Sequence, residues 1–380
     1  MHYFIVAGEA SGDLHAAELI AALRESDPQA RFTFSGGDRM ARAAGCGPLI
    51  HYRDMAFMGF SEVLRHLPSI GRNLKKVRRA LAGNRPDVFI AVDYPSFNLK
   101  VAKTAARLGI PVAWYISPKL WAWKKWRLRS LRRVTERMLC ILPFEPDFYR
   151  ANGYDRAVYV GNPSVEEIDR ALAGVESREE FCHRHGFKPG RRIIALLPGS
   201  RRGEIRCNLP VMDAVARTFP QYTIVVAGAP GIEPEFYAPL TRFKVIDGAT
   251  HTLLAHSHAA LVTSGTATLE AALARVPQVV TYRSNGSKLA FSLMRMVVHV
   301  PFVSLPNLIV GREIIPEQLL HMCTPEIVAD RLRAITPDNS PARQAQLDGY
   351  SLMRDRLGPA GAASRAATEI IALAGQHSAR

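Results

Sequence analysis

Tyr3-Phe4-Ile5-Val6-Ala7 followed by Gly8-Glu9-Ala10-Ser11-Gly12-Asp13 decides how this chain folds: an apolar run of strand length breaks at a small-residue turn, and a helical pattern begins at Leu14. A strand that enters a helix through such a turn leaves free backbone N–H groups and the positive helix end at the strand's carboxyl edge. Polar or anionic ligands bind there in open α/β sheets. The plainer alternative is an ordinary turn with Ser11 or Asp13 as N-cap. Outward from this stretch the unit recurs, with strands expected at 31–34, 88–92, 112–116, 138–142 and 158–160 and helices at 14–25, 69–82, 99–108 and 145–151. That alternation predicts a parallel sheet covered on both faces.

From Asn162 to Arg192 the sequence turns polar and Gly/Pro-marked, which predicts a linker. A second series follows, with strands at 193–197, 223–227, 244–246, 260–263 and 279–282 and helices at 209–218 and 266–274. The expected organisation is a first Rossmann-like domain over 1–163, a linker region over 164–192, a second Rossmann-like domain over 193–335 and terminal helices over 336–380. The last helices either cross back to the first domain or serve a homodimer contact.

With 380 residues the chain is long enough for two cores. Its formal net charge of +15 favours anionic partners: nucleic acid, acidic lipid or phosphorylated substrates. Five scattered cysteines without a C-x-x-C pair argue for a reducing compartment rather than a disulfide framework. No signal-peptide pattern is expected, and no run reaches the roughly 18 apolar residues of a spanning helix. Together these point to a cytosolic protein, with the membrane surface left open.

Several turns offer chemistry. Ile193–Leu197 runs into Pro198-Gly199-Ser200-Arg201-Arg202-Gly203-Glu204, where glycine permits close backbone approach and arginine presents a planar fork of donors to phosphate oxygens. It is neither a Walker loop nor G-x-G-x-x-G, which disfavours an ATPase or a nicotinamide enzyme; a solvated basic turn is the alternative. Ser264-Gly265-Thr266-Ala267-Thr268-Leu269-Glu270 is a second such turn, with Glu270 one helical turn in, suited to ribose hydroxyls or else to a Thr266 capping box. Asp93 ends the strand 88–92 beside the first turn, as a general base or a cap, with Asn98 the other candidate cap. The clusters Cys182-His183-Arg184-His185 and His256-Ser257-His258 read as surface residues, and with no Asp-x-Asp pair neither a metal nor a cofactor is expected.

Lys119 to Arg133 is basic and aromatic without an acidic residue, and it holds Trp121, Trp123 and Trp126 beside Lys124 and Arg127. Indole rings and cations suit an anionic lipid interface, aromatic-interleaved cations also suit single-stranded nucleic acid, and a helix with inward tryptophans is the bland alternative. Met55-Ala56-Phe57-Met58-Gly59-Phe60 is either core or the lining of an apolar pocket.

Taken in order, Val6–Asp13, Met58-Gly59-Phe60, Tyr115-Ile116-Ser117-Pro118, Trp121-Ala122-Trp123, Leu142-Pro143-Phe144-Glu145, Val160-Gly161-Asn162-Pro163, Leu197–Arg201, Ser264–Glu270 and Leu305-Pro306-Asn307 closely resemble the lipid-A-disaccharide synthase family. The resemblance implies a GT-B glycosyltransferase: α/β, with two Rossmann-like domains whose parallel sheets face a central cleft. It implies a peripheral enzyme on the cytoplasmic face of the Gram-negative inner membrane, in contact with anionic lipid and not with nucleic acid. The implied reaction joins UDP-2,3-diacylglucosamine to 2,3-diacylglucosamine 1-phosphate, giving a β-1,6-linked disaccharide 1-phosphate and UDP.

On that resemblance Asp93 matches the candidate catalytic carboxylate, with Glu9 beside it as the other candidate base. Ser11, Gly12, Asp13, Met58, Phe60, Trp121, Trp123, Lys124, Trp126 and Arg127 are expected on the acceptor and lipid side. Gly199, Ser200, Arg201, Ser264, Gly265, Thr266, Thr268, Glu270 and Asn307 are expected around UDP, with donors replacing a metal at the leaving diphosphate. The same architecture leaves room for a UDP-sugar 2-epimerase or another UDP-sugar transferase. A non-catalytic binder of anionic lipid or nucleic acid is the reading of a different class.

Overall fold

The computed structural model describes residues 1–55, 67–121, 125–283 and 301–378. The chain divides into two compact units, Met1–Pro163 together with Pro359–Arg380, and Ser164–Gly358. In the first, strands β1 (His2–Ala7), β2 (Arg31–Ser35), β3 (Val88–Val92), β4 (Val112–Tyr115), β5 (Arg137–Cys140) and β6 (Ala157–Tyr159) form one parallel sheet in the order β2-β1-β3-β4-β5-β6. β3 has no polar residue and is buried throughout, as a central strand covered on both faces must be. The order reverses between β1 and β3, where Ala7 pairs with Val92, so the turns after these two strands leave the sheet side by side at a topological switch point.

One face of this sheet packs Tyr3, Ile5 and Val92 against the helix Ala10–Ser26 and the last helix, Ala362–Ser378. The last helix fits through Ala366, Ala367 and Ala374, whose small side chains let it approach closely, with Ile370 buried among them. Arg365 Nε donates to the Val160 carbonyl at 2.8 Å, and His377 meets Glu136 at 2.6 Å. The other face packs Phe4, Phe89 and Trp114 under the helices Leu67–Asn84, Pro95–Arg107 and Leu128–Val134. Outward these three helices present Arg72, Lys75, Lys76, Arg78 and Arg79, then Lys100, Lys103 and Arg107, then Arg129, Arg132 and Arg133, without one Asp or Glu.

The second unit repeats the plan with β7 (Ile193–Leu197), β8 (Thr223–Ala227), β9 (Lys244–Ile246), β10 (Ser257–Thr263), β11 (Gln278–Tyr282) and β12 (Glu317–Leu319), parallel and ordered β12-β11-β10-β7-β8-β9. Its switch point lies between β7 and β10. β12 was not expected from the sequence, because Glu317-Gln318-Leu319 has two polar residues and no apolar run to mark it.

The stretch expected as a linker instead forms the helices Pro163–Ala173 and Arg178–His185, and it belongs to the second unit from Ser164. Ser177 opens the second of these with a capping box to Glu180. Phe181 and Cys182 are fully buried in that unit's core, so Cys182 is not the surface residue expected, because even a polar helix buries the residues on its inward side. Among the described residues no helix is long and apolar enough to cross a membrane.

Candidate functional site

At the first switch point β1 ends at Ala7 and β3 at Val92, followed by Gly8-Glu9 and Asp93-Tyr94. Asp93 (φ +42°) and Tyr94 (φ +47°) are consecutive left-handed residues, a conformation costing L side chains on the order of 1 kcal/mol each. Asn98 holds the corner. Fully buried, it donates through Nδ2 to the carbonyls of Val6 and Val92 at 3.2 Å and of Asp93 at 2.8 Å, tying both strand ends together. Neither Asp93 nor Asn98 caps the helix Pro95–Arg107; its N-cap is Tyr94, with no side-chain cap bond.

The Tyr94 hydroxyl donates to the Met55 carbonyl at 2.7 Å, and its ring lies so close to Gly8 that a Cβ there would stand 2.3 Å from it. Gly8 is therefore a close-approach glycine. Burial, and then the negative charge of Glu9, push the Asp93 carboxyl up to about 6, with Lys119 opposing.

Glu9, not Ser11 or Asp13, is the N-cap of Ala10–Ser26, and its side chain accepts from Ser11 Oγ at 3.1 Å instead of capping. Gly12 is buried against Ala7. Asp13 turns inward: its carboxylate accepts from the amides of Gly37 at 2.6 Å and of Arg39 and Met40 at 3.2 Å, holding the next loop. Of the lipid-side residues, Met58, Phe60, Trp123 and Lys124 lie outside the described residues. Trp126 is 71% exposed with the Arg127 guanidinium 5.3 Å over its ring, and Arg127 donates to Ser96 Oγ at 3.2 Å.

Trp121 has a different setting. Its Nε1 donates at 3.0 Å to Glu145, a fully buried carboxylate that also accepts from Ser117 Oγ at 2.6 Å and from the amides of Ile141 at 3.2 Å and Leu142 at 3.1 Å. Burial raises the Glu145 carboxyl above its ordinary range despite these four donors. Phe144 meets the Trp121 ring edge-on at 5.2 Å. Ser117, Trp121 and the amides of 141–142 thus meet on one carboxylate that fixes the base of the basic, aromatic segment.

In the second unit the turns after β7 and β10 share the switch point. Gly199 has φ +115°, Arg201 is the N-cap of the helix Arg202–Ala216, and the Glu204 carboxylate accepts from the Ser200 amide at 3.1 Å and from Arg201 Nη1 at 3.1 Å. After β10 the N-cap of Thr266–Leu273 is Gly265, so no Thr266 capping box forms. Thr266 is exposed, whereas Thr268 is buried and donates to the Gly265 carbonyl at 2.8 Å, and Ser264 Oγ donates to the Val303 carbonyl at 3.0 Å. Glu270 lies 3.6 Å from His251, a residue the sequence did not single out; this bond raises the affinity of His251 for its proton. Asn307 is fully committed to structure. Its Nδ2 donates to the Ile315 carbonyl and to Glu317 at 2.9 Å, while its Oδ1 accepts from the amides of Ile314 at 2.7 Å and Ile315 at 3.0 Å. Among the described residues no group of three or more His, Cys, Asp or Glu could hold a metal ion.

A family model described as lipid-A-disaccharide synthetase matches residues 3–368. A relative in Myxococcus xanthus named lipid-A-disaccharide synthase is 44% identical, with 97% of this chain and 96% of the relative covered. One of the same name in Anaeromyxobacter dehalogenans is 39% identical over 97% and 96%. Among solved structures, a UDP-GlcNAc 2-epimerase from Neisseria meningitidis bound to UDP-GlcNAc matches with a TM-score of 0.63 at 11% identity, covering 98% of this chain and 99% of that one. The kitacinnamycin glycosyltransferase matches at 0.64 and 17% identity, covering 98% of each. At these identities the structural likeness shows the GT-B fold alone, which serves transferases and epimerases alike.

Proposed function

The chain belongs to the lipid-A-disaccharide synthase family, and from that premise we propose that Asp93 is the general base of its reaction and that the Gly199–Arg201 turn receives the donor's diphosphate. It is a UDP-sugar glycosyltransferase that joins UDP-2,3-diacylglucosamine to 2,3-diacylglucosamine 1-phosphate, giving the β-1,6-linked disaccharide 1-phosphate and UDP. Membership of this family, rather than the fold, sets aside the epimerase and the non-catalytic binder.

In the step proposed, the acceptor's 6-hydroxyl gives its proton to Asp93 as its oxygen attacks the donor's anomeric carbon. The bond from that carbon to the diphosphate breaks with inversion, and its electron pair leaves with UDP. Arg201 and the amides of the turns at Ser200 and Ser264–Thr266 then meet the growing negative charge. Glu270, steadied by His251, takes the ribose hydroxyls. Asp13, Thr268 and Asn307 support the loops around the ligands instead of touching them.

The observation that carries the assignment is the corner at 93–94: a strained, Asn98-braced strand end at a switch point, with its carboxyl held at about 6. Purified protein with donor, acceptor and a chelator is expected to release UDP only when the acceptor is present. Release without acceptor, or none with both substrates, would remove the transferase assignment.

The acceptor and donor are acylated, and we place the enzyme on an anionic membrane surface. The acid-free outer face of the helices Leu67–Asn84, Pro95–Arg107 and Leu128–Val134 supports this, as does exposed Trp126. Sedimentation with vesicles containing phosphatidylglycerol is expected to capture the chain at low salt and to fade as ionic strength rises, whereas neutral phosphatidylcholine vesicles are expected to leave it in solution. Equal capture by both would contradict charge-led docking.

A further inference from the structure

Glu204 stands at the third position of the helix Arg202–Ala216 and folds back over the turn before it. Its two oxygens take the Ser200 amide and Arg201 Nη1, each at 3.1 Å, and these are the donors a phosphate would need. The next cation, Arg202, is turned away to Glu233 and the Phe236 ring. The carboxylate fits only because residue 199 has no side chain: a Cβ there would stand 2.8 Å from Glu204 Oε2. Glu204 is 28% exposed and Arg201 61%, so their pairing is solvent-screened and readily exchanged.

We infer that Glu204 is a displaceable internal stand-in for the donor's phosphate. It occupies Arg201 and the Ser200 amide in the nucleotide-free protein, yields to a nucleoside diphosphate and returns as UDP departs. This rests on Gly199–Arg201 being the diphosphate cradle. A diphosphate brings more charge and more acceptor oxygens than one carboxylate and displaces it; a single inorganic phosphate competes poorly. Glu204 thereby sets donor affinity, keeps free phosphate out and hastens product release.

Titration calorimetry of the full chain with UDP and with inorganic phosphate tests this. E204Q keeps the side chain's length and an acceptor for the Ser200 amide but removes the charge. It is expected to tighten UDP binding by about three- to tenfold, the worth of one exposed charge-assisted contact, and to make phosphate binding measurable. E204D, with its carboxylate one carbon short of reaching both donors, is expected to tighten UDP binding as well. R201Q is expected to weaken UDP binding. If R201Q weakens binding but E204Q leaves UDP affinity unchanged or lower, the stand-in is overturned and the cradle remains. If UDP binds without regard to R201Q, the cradle falls and the stand-in with it.

Discussion

Replacing Asp93 with Asn is expected to slow sugar transfer by about 10²–10⁴-fold, the usual worth of a positioned general base, while UDP affinity stays at its wild-type value. The turn proposed for the diphosphate, Gly199–Arg201, belongs to the unit Ser164–Gly358 and not to that of Asp93, so the loss is expected in kcat. The pH dependence gives a second reading of the same residue. A base works when deprotonated, so wild-type kcat/KM should fall as pH drops through the Asp93 pKa of about 6. Glu9 helps raise that value through its negative charge, and Glu9→Gln should therefore move the acid limb to lower pH. Near-full turnover by Asp93→Asn would discard the assignment, and collapse of Glu9→Gln alongside it would transfer the role to Glu9.

The second large effect concerns stability. Glu145→Ala is expected to destabilise the first unit by about 3–5 kcal/mol, because it leaves several buried donors without a partner at once. Those donors are the Ser117 hydroxyl, the Trp121 indole N–H and the amides of Ile141 and Leu142. Urea denaturation followed by tryptophan fluorescence would measure the shift in midpoint. Glu145→Gln, which retains an acceptor oxygen and the shape, should lose less. An alanine variant within about 1 kcal/mol of wild type would mean that water replaces the carboxylate without penalty.

Several strands of both sheets were legible because a parallel sheet buried on two faces must be written in nearly uninterrupted apolar runs. Val88–Val92, Ile193–Leu197 and Thr223–Ala227 agree with the expected bounds residue for residue. Helix starts were less visible. Ala10–Ser26 begins four residues before its apolar period does, since Glu9 caps it without a side-chain bond. The turns that hold Asp93, Arg201 and Glu270 could be found, as small residues after a strand mark them in any order of reading.

What each side chain does inside a turn could not be found that way. The Asp13 carboxylate accepts from the Gly37 amide 24 residues on, and Asn307 binds the backbone of Ile314 and Ile315, partners that the motifs around them do not encode. Asn98 and His251 matter through partners no local pattern encodes. Glu204 had a faint signal, an acidic residue at the third position of a helix, where reaching back to the preceding turn is common.

The last helix, Ala362–Ser378, packs on the helix Ala10–Ser26 and on β3, β4 and β5, so the unit holding residues 1–163 cannot close its core until residues 362–378 have left the ribosome. The whole of Ser164–Gly358 is made in between and carries its own sheet and core. Synthesis order and completion order are thus reversed: the intervening unit can finish folding while the opening strands still wait, their apolar face bare to chaperones and to neighbouring nascent chains.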